Sequence, residues 1–264
     1  MDLQLNGKRA LVTGSTAGIG FATAEGLARE GASVVVNGRT TARVDSAVMR
    51  IRQGIPGADV TGVAADLATA EGCALMTGRV PFVDILVNNM AIFEAKPFEQ
   101  IPDEDWLRFF ETNVMSGVRL SRHYLPQMRE RHWGRIIFVS SESAVQIPAE
   151  MVHYGMTKAA QVAVARGIAE TTAGRGVTVN SVLPGPTMSE GAAAFVARIA
   201  EQRGIDVPSM EREFFKTARP SSLLQRFATV EEVANMIVYL CGPLASATNG
   251  AALRVDGGVV RSAF

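Results

Sequence analysis

The sequence predicts an α/β protein built on a doubly wound parallel sheet of about seven strands with helices on both faces. Three observations point there. Short β-type apolar runs alternate with helical patterns along the 264 residues. Runs such as Val34-Val35-Val36 are apolar without interruption, as strands covered on both sides require. A glycine-rich turn stands between the first run and the first helical pattern, where a doubly wound fold places its phosphate-binding loop. The strand-like runs fall at 10–13, 33–37, 60–64, 83–88, 135–140, 177–182 and 252–256. Helical spacings of apolar residues occupy 19–30, 41–53, 104–131, 154–173 and 230–240. Such alternation demands parallel pairing, because parallel strands are joined by long crossovers. With no linker, repeat or low-complexity block, the chain reads as one domain over 1–264, and an irregular stretch at about 186–224 reads as a lid.

Charge narrows the function. Lys plus Arg total 26 and Asp plus Glu total 26, so the net charge is zero. The excess of basic residues that nucleic acid or an anionic membrane surface needs is missing. The uncharged run 10–24 imitates a signal peptide, but Gly14, Gly18 and Gly20 break it. The run 234–253 has the length of a membrane span, yet Asn235, Gly242, Pro243, Asn249 and Gly250 divide it. The expectation is a soluble, cytoplasmic protein. Cys73 and Cys241 form no metal or redox motif and read as buried thiols. His123 and His132 have no ligand constellation around them, so no metal site is inferred.

Two motifs carry the chemistry. In Thr13-Gly14-Ser15-Thr16-Ala17-Gly18-Ile19-Gly20 the glycines let the backbone approach a pyrophosphate at a helix N-terminus. In Tyr154-Gly155-Met156-Thr157-Lys158 the phenol and the amine lie four residues apart on one helix face, thirteen residues after Ser141. Delivering a proton to a forming alkoxide near pH 7 is sluggish for a tyrosine of ordinary pKa near 10, and a neighbouring ammonium lowers that pKa. Tyr154 therefore reads as the acid/base, Lys158 as the group that tunes it, and Ser141 as the donor that holds and polarises the substrate oxygen.

The glycine spacing, Ser141, Tyr154 and Lys158, together with Asn113 upstream, resemble the short-chain dehydrogenase/reductase family. The likeness runs from Lys8 to about Val260, with Asp66, Asn88-Asn89, Pro184-Gly185 and Arg254-Val255-Asp256-Gly257-Gly258 as further matches. It departs from the family pattern at Met90-Ala91 and at Glu142-Ser143-Ala144. The resemblance implies a Rossmann-like fold and an Asn113-Ser141-Tyr154-Lys158 tetrad, with the Asn113 carbonyl holding a water that links Lys158 to solvent. It also implies a dinucleotide bound by Gly14, Ser15, Thr16, Gly18, Ile19 and Gly20, by Asp66 and Leu67 at the adenine end, and by Asn88 near the adenine ribose. Tyr154 and Lys158 contact the cofactor too, and Pro184, Gly185, Thr187 and Ser189 pass the nicotinamide. A homotetramer or homodimer follows by the same kinship.

The end of the second strand bears on cofactor choice. Asn37-Gly38-Arg39 has no carboxylate to hold the ribose hydroxyls of NAD, while Arg39 offers a guanidinium suited to a 2′-phosphate. NADP(H) is the preferred cofactor, and NAD(H) is the alternative. The expected activity is NADP(H)-dependent reduction of a carbonyl, or oxidation of a secondary alcohol, with a 3-oxoacyl thioester or another ketone as substrate. Alternatives are an NAD-dependent dehydrogenase of a sugar or sterol-like alcohol, and a dinucleotide-binding regulator without turnover. Substrate walls are expected from Ala91-Ile92-Phe93, from 144–151, and from Met188, Phe195, Ile199, Met210, Phe214 and Phe215. Glu142 and His153, flanking the tetrad, are further candidates for polar substrate contact.

Overall fold

The computed structural model describes residues 2–263, the side chain of Phe195 excepted. Its centre is a seven-stranded, wholly parallel sheet in the order β3-β2-β1-β4-β5-β6-β7. The strands are β1 (Arg9–Val12), β2 (Ser33–Gly38), β3 (Val60–Ala64), β4 (Ile85–Asn88), β5 (Gly134–Val139), β6 (Val177–Pro184) and β7 (Ala252–Val255). Strand order reverses between β1 and β4, and the crevice beyond their carboxyl ends is where this architecture holds ligands.

Two apolar layers sandwich the sheet. On one face Ala24, Leu27, Ile51, Val233 and Ile237 pack from α1 (Gly18–Arg29), α2 (Thr41–Gly54) and α9 (Val230–Cys241). On the other, Met76, Leu120, Tyr124 and Ala165 pack from α3 (Ala70–Arg79), α5 (Ser116–Glu130) and α6 (Val152–Glu170). Cys73 and Cys241 are free and buried. No helix among the described residues is long and apolar enough to cross a membrane.

Three elements differ from the sequence reading. Helix α3 went unread because Gly72 and Gly78 dilute its apolar spacing, although Thr69 caps it by accepting from Gly72 N at 3.0 Å. The single helix expected over 104–131 is broken: α4 (Asp103–Phe110) passes into a π-helical turn, Glu111–Met115, before α5. The stretch at 186–224 is not irregular but carries α7 (Glu190–Arg203) and α8 (Val207–Thr217), which close on their own small core of Val196, Ala200 and Met210.

Candidate active site

The glycine loop follows β1 as expected. Gly18 has φ +59°, and a Cβ at Gly20 would collide with Asn89 Nδ2 and Gly14 O, so the loop lies as tightly as a cradle for phosphate needs. Ser15 faces inward instead: its Oγ donates to Val12 O at 2.6 Å and accepts from Asn37 N at 3.0 Å, tying β1 to β2. Its backbone N is engaged as well, donating to Asn37 O at 2.8 Å. Arg39 is exposed just past β2 and makes no side-chain hydrogen bond or ion pair among the described residues. A Cβ at Gly38 would stand 2.5 Å from Thr16 Cγ2, so Thr16 fills the space an acidic side chain would need.

Other expected cofactor residues divide between facing the cleft and facing the core. Asp66 is exposed and accepts from Ala68 N at 3.1 Å, whereas the Leu67 side chain is fully buried with Cys73 and Met76. Asn88 also turns inward, donating to Ser121 Oγ at 3.3 Å. Its neighbour Asn89 is the one that lines the cleft, donating to Thr13 O at 2.9 Å and Gly14 O at 3.1 Å. Strand alternation explains the exchange, because successive side chains point to opposite faces. Pro184, Gly185, Thr187 and Ser189 border the cavity, with Ser189 also capping α7 by accepting from Ala192 N at 3.2 Å.

The cavity measures about 1150 Å³ and runs from Gly14 and Ile19 past Ser141, Tyr154 and Lys158 to the lid helices. Ser141 lies two residues past β5 and caps a short 3₁₀ turn, Glu142–Ala144, accepting from Ser143 N at 3.1 Å. Tyr154 and Lys158 rise from the first turns of α6, with Lys158 Nζ 5.5 Å from the Tyr154 ring centroid. Lys158 is buried, and its Nζ donates to Val139 O at 3.0 Å and to Gln161 Oε1 at 3.1 Å. Gln161 in turn donates through Nε2 to Asn113 O at 2.6 Å. Gln161 thus touches both Lys158 and the Asn113 carbonyl to which the resemblance assigned a water.

Asn113 sits in the π turn, whose wider helical pitch takes main-chain groups out of the regular i−4 ladder. Its side chain clamps the loop after β4, accepting from Ile92 N at 2.8 Å and donating to Ile92 O, and reaches Thr157 Oγ1 of α6 at 3.0 Å. The tetrad residues are thus brought together by one π turn, one strand end and one helix.

Electrostatics depart from the simple expectation. Burial pushes the Tyr154 phenol up, and the Glu142 charge adds to this; the hydrogen bond to Ser141 and the Arg219 charge oppose it. Burial lowers the Lys158 amine to about 7, with Glu142 pulling the other way. Tyr154 is therefore held protonated, and the cation meant to ease its ionisation is itself only marginally charged near neutrality. The physical reason is that both groups leave water together, a cost that residue spacing cannot reveal.

Two flanking residues also take defined places. His153 is fully buried against Phe109 and Trp106, and neither ring nitrogen has a hydrogen-bond partner among the described residues, so it packs on α4 rather than facing substrate. Burial lowers its pKa. Glu142 lines the cavity with its side chain 6% exposed, accepts the Ser141 hydroxyl at Oε2, and pairs at Oε1 with Arg219 Nε at 3.2 Å. Arg219, which follows α8, also reaches Glu150 Oε1 at 3.3 Å. Of the expected walls, Ala91, Phe93, Met151, Ile199, Met210 and Phe214 line the cavity, whereas Ile92, residues 144–149, Met188 and the buried Phe215 do not, and the Phe195 side chain lies outside the described residues.

This fold and this cleft define a dinucleotide-dependent oxidoreductase class, and comparison with known proteins gives the family. A family model described as enoyl-(acyl carrier protein) reductase matches residues 14–260. The uncharacterized oxidoreductase YvaG of Bacillus subtilis (strain 168) is 47% identical over 264 residues, with all of both chains covered. D-beta-hydroxybutyrate dehydrogenase of Cupriavidus necator is 35% identical, covering 97% of this chain and 99% of its own. Among solved structures, the L-sorbose reductase of Gluconobacter frateurii, complexed with NADPH and L-sorbose, aligns with a TM-score of 0.94 at 33% identity over 99% of this chain and 100% of that one. The chain belongs to the short-chain dehydrogenase/reductase family of oxidoreductases.

Proposed function

We propose that the protein is an NADP(H)-dependent reductase of a ketone, running in reverse as a dehydrogenase of the corresponding secondary alcohol. The observation that carries this reading is that Ser141, Tyr154 and Lys158 border the same cavity as the glycine loop and the Pro184–Ser189 bend. The dinucleotide, when bound, supplies the hydride. Tyr154, held protonated by burial, gives its proton to the substrate oxygen. Ser141 donates its hydroxyl hydrogen to the same oxygen and fixes it beside the phenol. Lys158 compensates the charge left on Tyr154. Its two fixed acceptors, Val139 O and Gln161 Oε1, leave the third ammonium hydrogen for the cofactor side of the cleft.

NADP(H) is supported by the unpartnered Arg39 and by the space Thr16 takes beside Gly38. The NADPH held by the L-sorbose reductase supports it too. Ionisable groups on the cavity wall, Glu142, Glu150 and Arg219 among them, favour a polar ketone. A dimer or tetramer is part of the same reading, since Leu107 on α4 is 66% exposed.

The test is loss of NADPH absorbance with a panel of hydroxy ketones, sugar ketones, β-ketoacyl thioesters and steroid ketones. At least one class should turn over, and Tyr154→Phe should lose about a thousandfold, as removal of a general acid commonly costs 10²- to 10⁴-fold. Near-normal turnover in Tyr154→Phe would falsify the assignment. Arg39→Asp should weaken NADPH relative to NADH by about tenfold to a hundredfold, as loss of a charge-assisted hydrogen bond does.

A further inference from the structure

We infer that Glu142 selects for ketones that carry a hydroxyl on the carbon next to the carbonyl, by accepting that hydroxyl once Ser141 has turned to the substrate oxygen. The inference rests on the reductase reading above and deepens it.

The argument is a count of hydrogens. A serine hydroxyl has one. In the unliganded chain Ser141 gives it to Glu142 Oε2, while Ser143 N donates to the same hydroxyl oxygen. In the reaction that single hydrogen must go to the substrate oxygen, and Oε2 loses its donor. Glu142 cannot turn to water cheaply, because its side chain is 6% exposed and its other oxygen is tied to Arg219 Nε, itself on a side chain 10% exposed. A buried carboxylate oxygen stripped of a donor costs free energy at the moment the substrate is polarised. The substrate can restore the count. Glu142 is one hydrogen bond beyond Ser141, and Ser141 is one hydrogen bond from the carbonyl oxygen, so a donor on the adjacent carbon falls on the side of the substrate that Glu142 faces. A neutral hydroxyl fits better than an ammonium, because the Arg219 guanidinium already pairs with this carboxylate. Reduction of such a ketone adds hydride to the carbonyl carbon and a proton to its oxygen, and the product is a vicinal diol.

Three small ketones isolate the effect. 1-Hydroxybutan-2-one has the donor; pentan-3-one matches its size; 1-methoxybutan-2-one matches its inductive pull; neither control can donate. Wild-type kcat/KM should favour the hydroxy ketone over both controls by about tenfold to a hundredfold. Dissociation constants on the NADP⁺ complex, measured by ligand-observed NMR, should keep the same order. Because Glu142→Met alone leaves the largely buried Arg219 with Glu150 as its remaining counter-charge, the variant to compare is Glu142→Met/Arg219→Met, checked for fold by thermal melting and NADPH binding. Its preference should collapse to within about threefold, whatever its absolute rate, since a purely structural change scales all three ketones together. Equal wild-type rates on hydroxy and methoxy ketones overturn the inference and leave the reductase reading standing. A preference that survives in the double variant also overturns it. No turnover of any ketone by a wild type that binds NADPH sinks both.

Discussion

Gln161 stands at the junction of the site and makes its amide a fixed part of it, accepting from Lys158 Nζ and donating to Asn113 O. An amide cannot pass a proton along as a water does, so this bridge orients and charges Lys158 rather than connecting it to solvent. Losing an acceptor for an ammonium is worth about 1.5 kcal/mol or more, which is roughly one pKa unit. In Gln161→Met the charged form of Lys158 is disfavoured, its pKa falls below about 7, and the alkaline limb of kcat for reduction should move down by roughly one pH unit. A pH profile with an unmoved limb, even at lower rate, would show that Gln161 only packs. The grouping of Ser141, Tyr154 and Lys158 at one cavity was legible because these residues keep their spacing along the chain. Gln161 was not, because its partner Asn113 is 48 residues away and meets it only through a π turn. Asn88 and Asn89 illustrate the same limit at one residue's range: the sequence offers two adjacent amides, and only the pleat decides which faces the cleft.

At the scale of elements, the segment after α8 is fastened to the 3₁₀ turn Glu142–Ala144 by the Arg219–Glu142 pair, both partners largely out of water. Removing one partner of a buried pair leaves an uncompensated charge and costs about 3–5 kcal/mol, whereas removing both is close to neutral. Arg219→Met should therefore destabilise the fold by about 3 kcal/mol, and Glu142→Met/Arg219→Met should recover most of that. Urea denaturation of the two single variants and the double variant gives the coupling; additive losses would mean that α8 is held by its apolar core instead. Helices α7 and α8 left only short traces in the sequence, the helical spacings of Phe195 with Ile199 and of Met210 with Phe214, interrupted at Gly204, so that the stretch as a whole read as irregular. The π turn was hidden for the opposite reason. The spacing across 104–131 is nearly continuous, and a single wider turn does not interrupt the pattern enough to be seen.

Over the whole molecule, the doubly wound sheet could be read directly because its central strands β4, β5 and β6 are buried along their whole length, with apolar runs such as Ile136-Ile137-Phe138-Val139 at their centre. The cost of burying charge within it could not be read. Lys158 carries an amine whose folded pKa, about 7, lies below its ordinary 10.5. Between those values the unfolded chain binds more protons than the folded one, so this group makes stability rise with pH from about 7 toward 10 and contributes a flat penalty below 7. The slope cannot exceed about 1.4 kcal/mol per pH unit for one proton. Tyr154 and Cys241, both raised by burial, act with the opposite sign at the alkaline end and are common to wild type and variant. Subtracting the stability of Lys158→Met from that of the wild type removes them. The difference should be most unfavourable to the wild type at pH 6 and shift in its favour at each step to pH 7.5 and pH 9, as followed by urea denaturation without cofactor. A difference that stays constant across those three values would mean that Lys158 keeps its full charge in the folded interior. In that case the charge is stabilised by more than Val139 O, Gln161 Oε1 and the field of Glu142, and Tyr154 would then face a permanent cation.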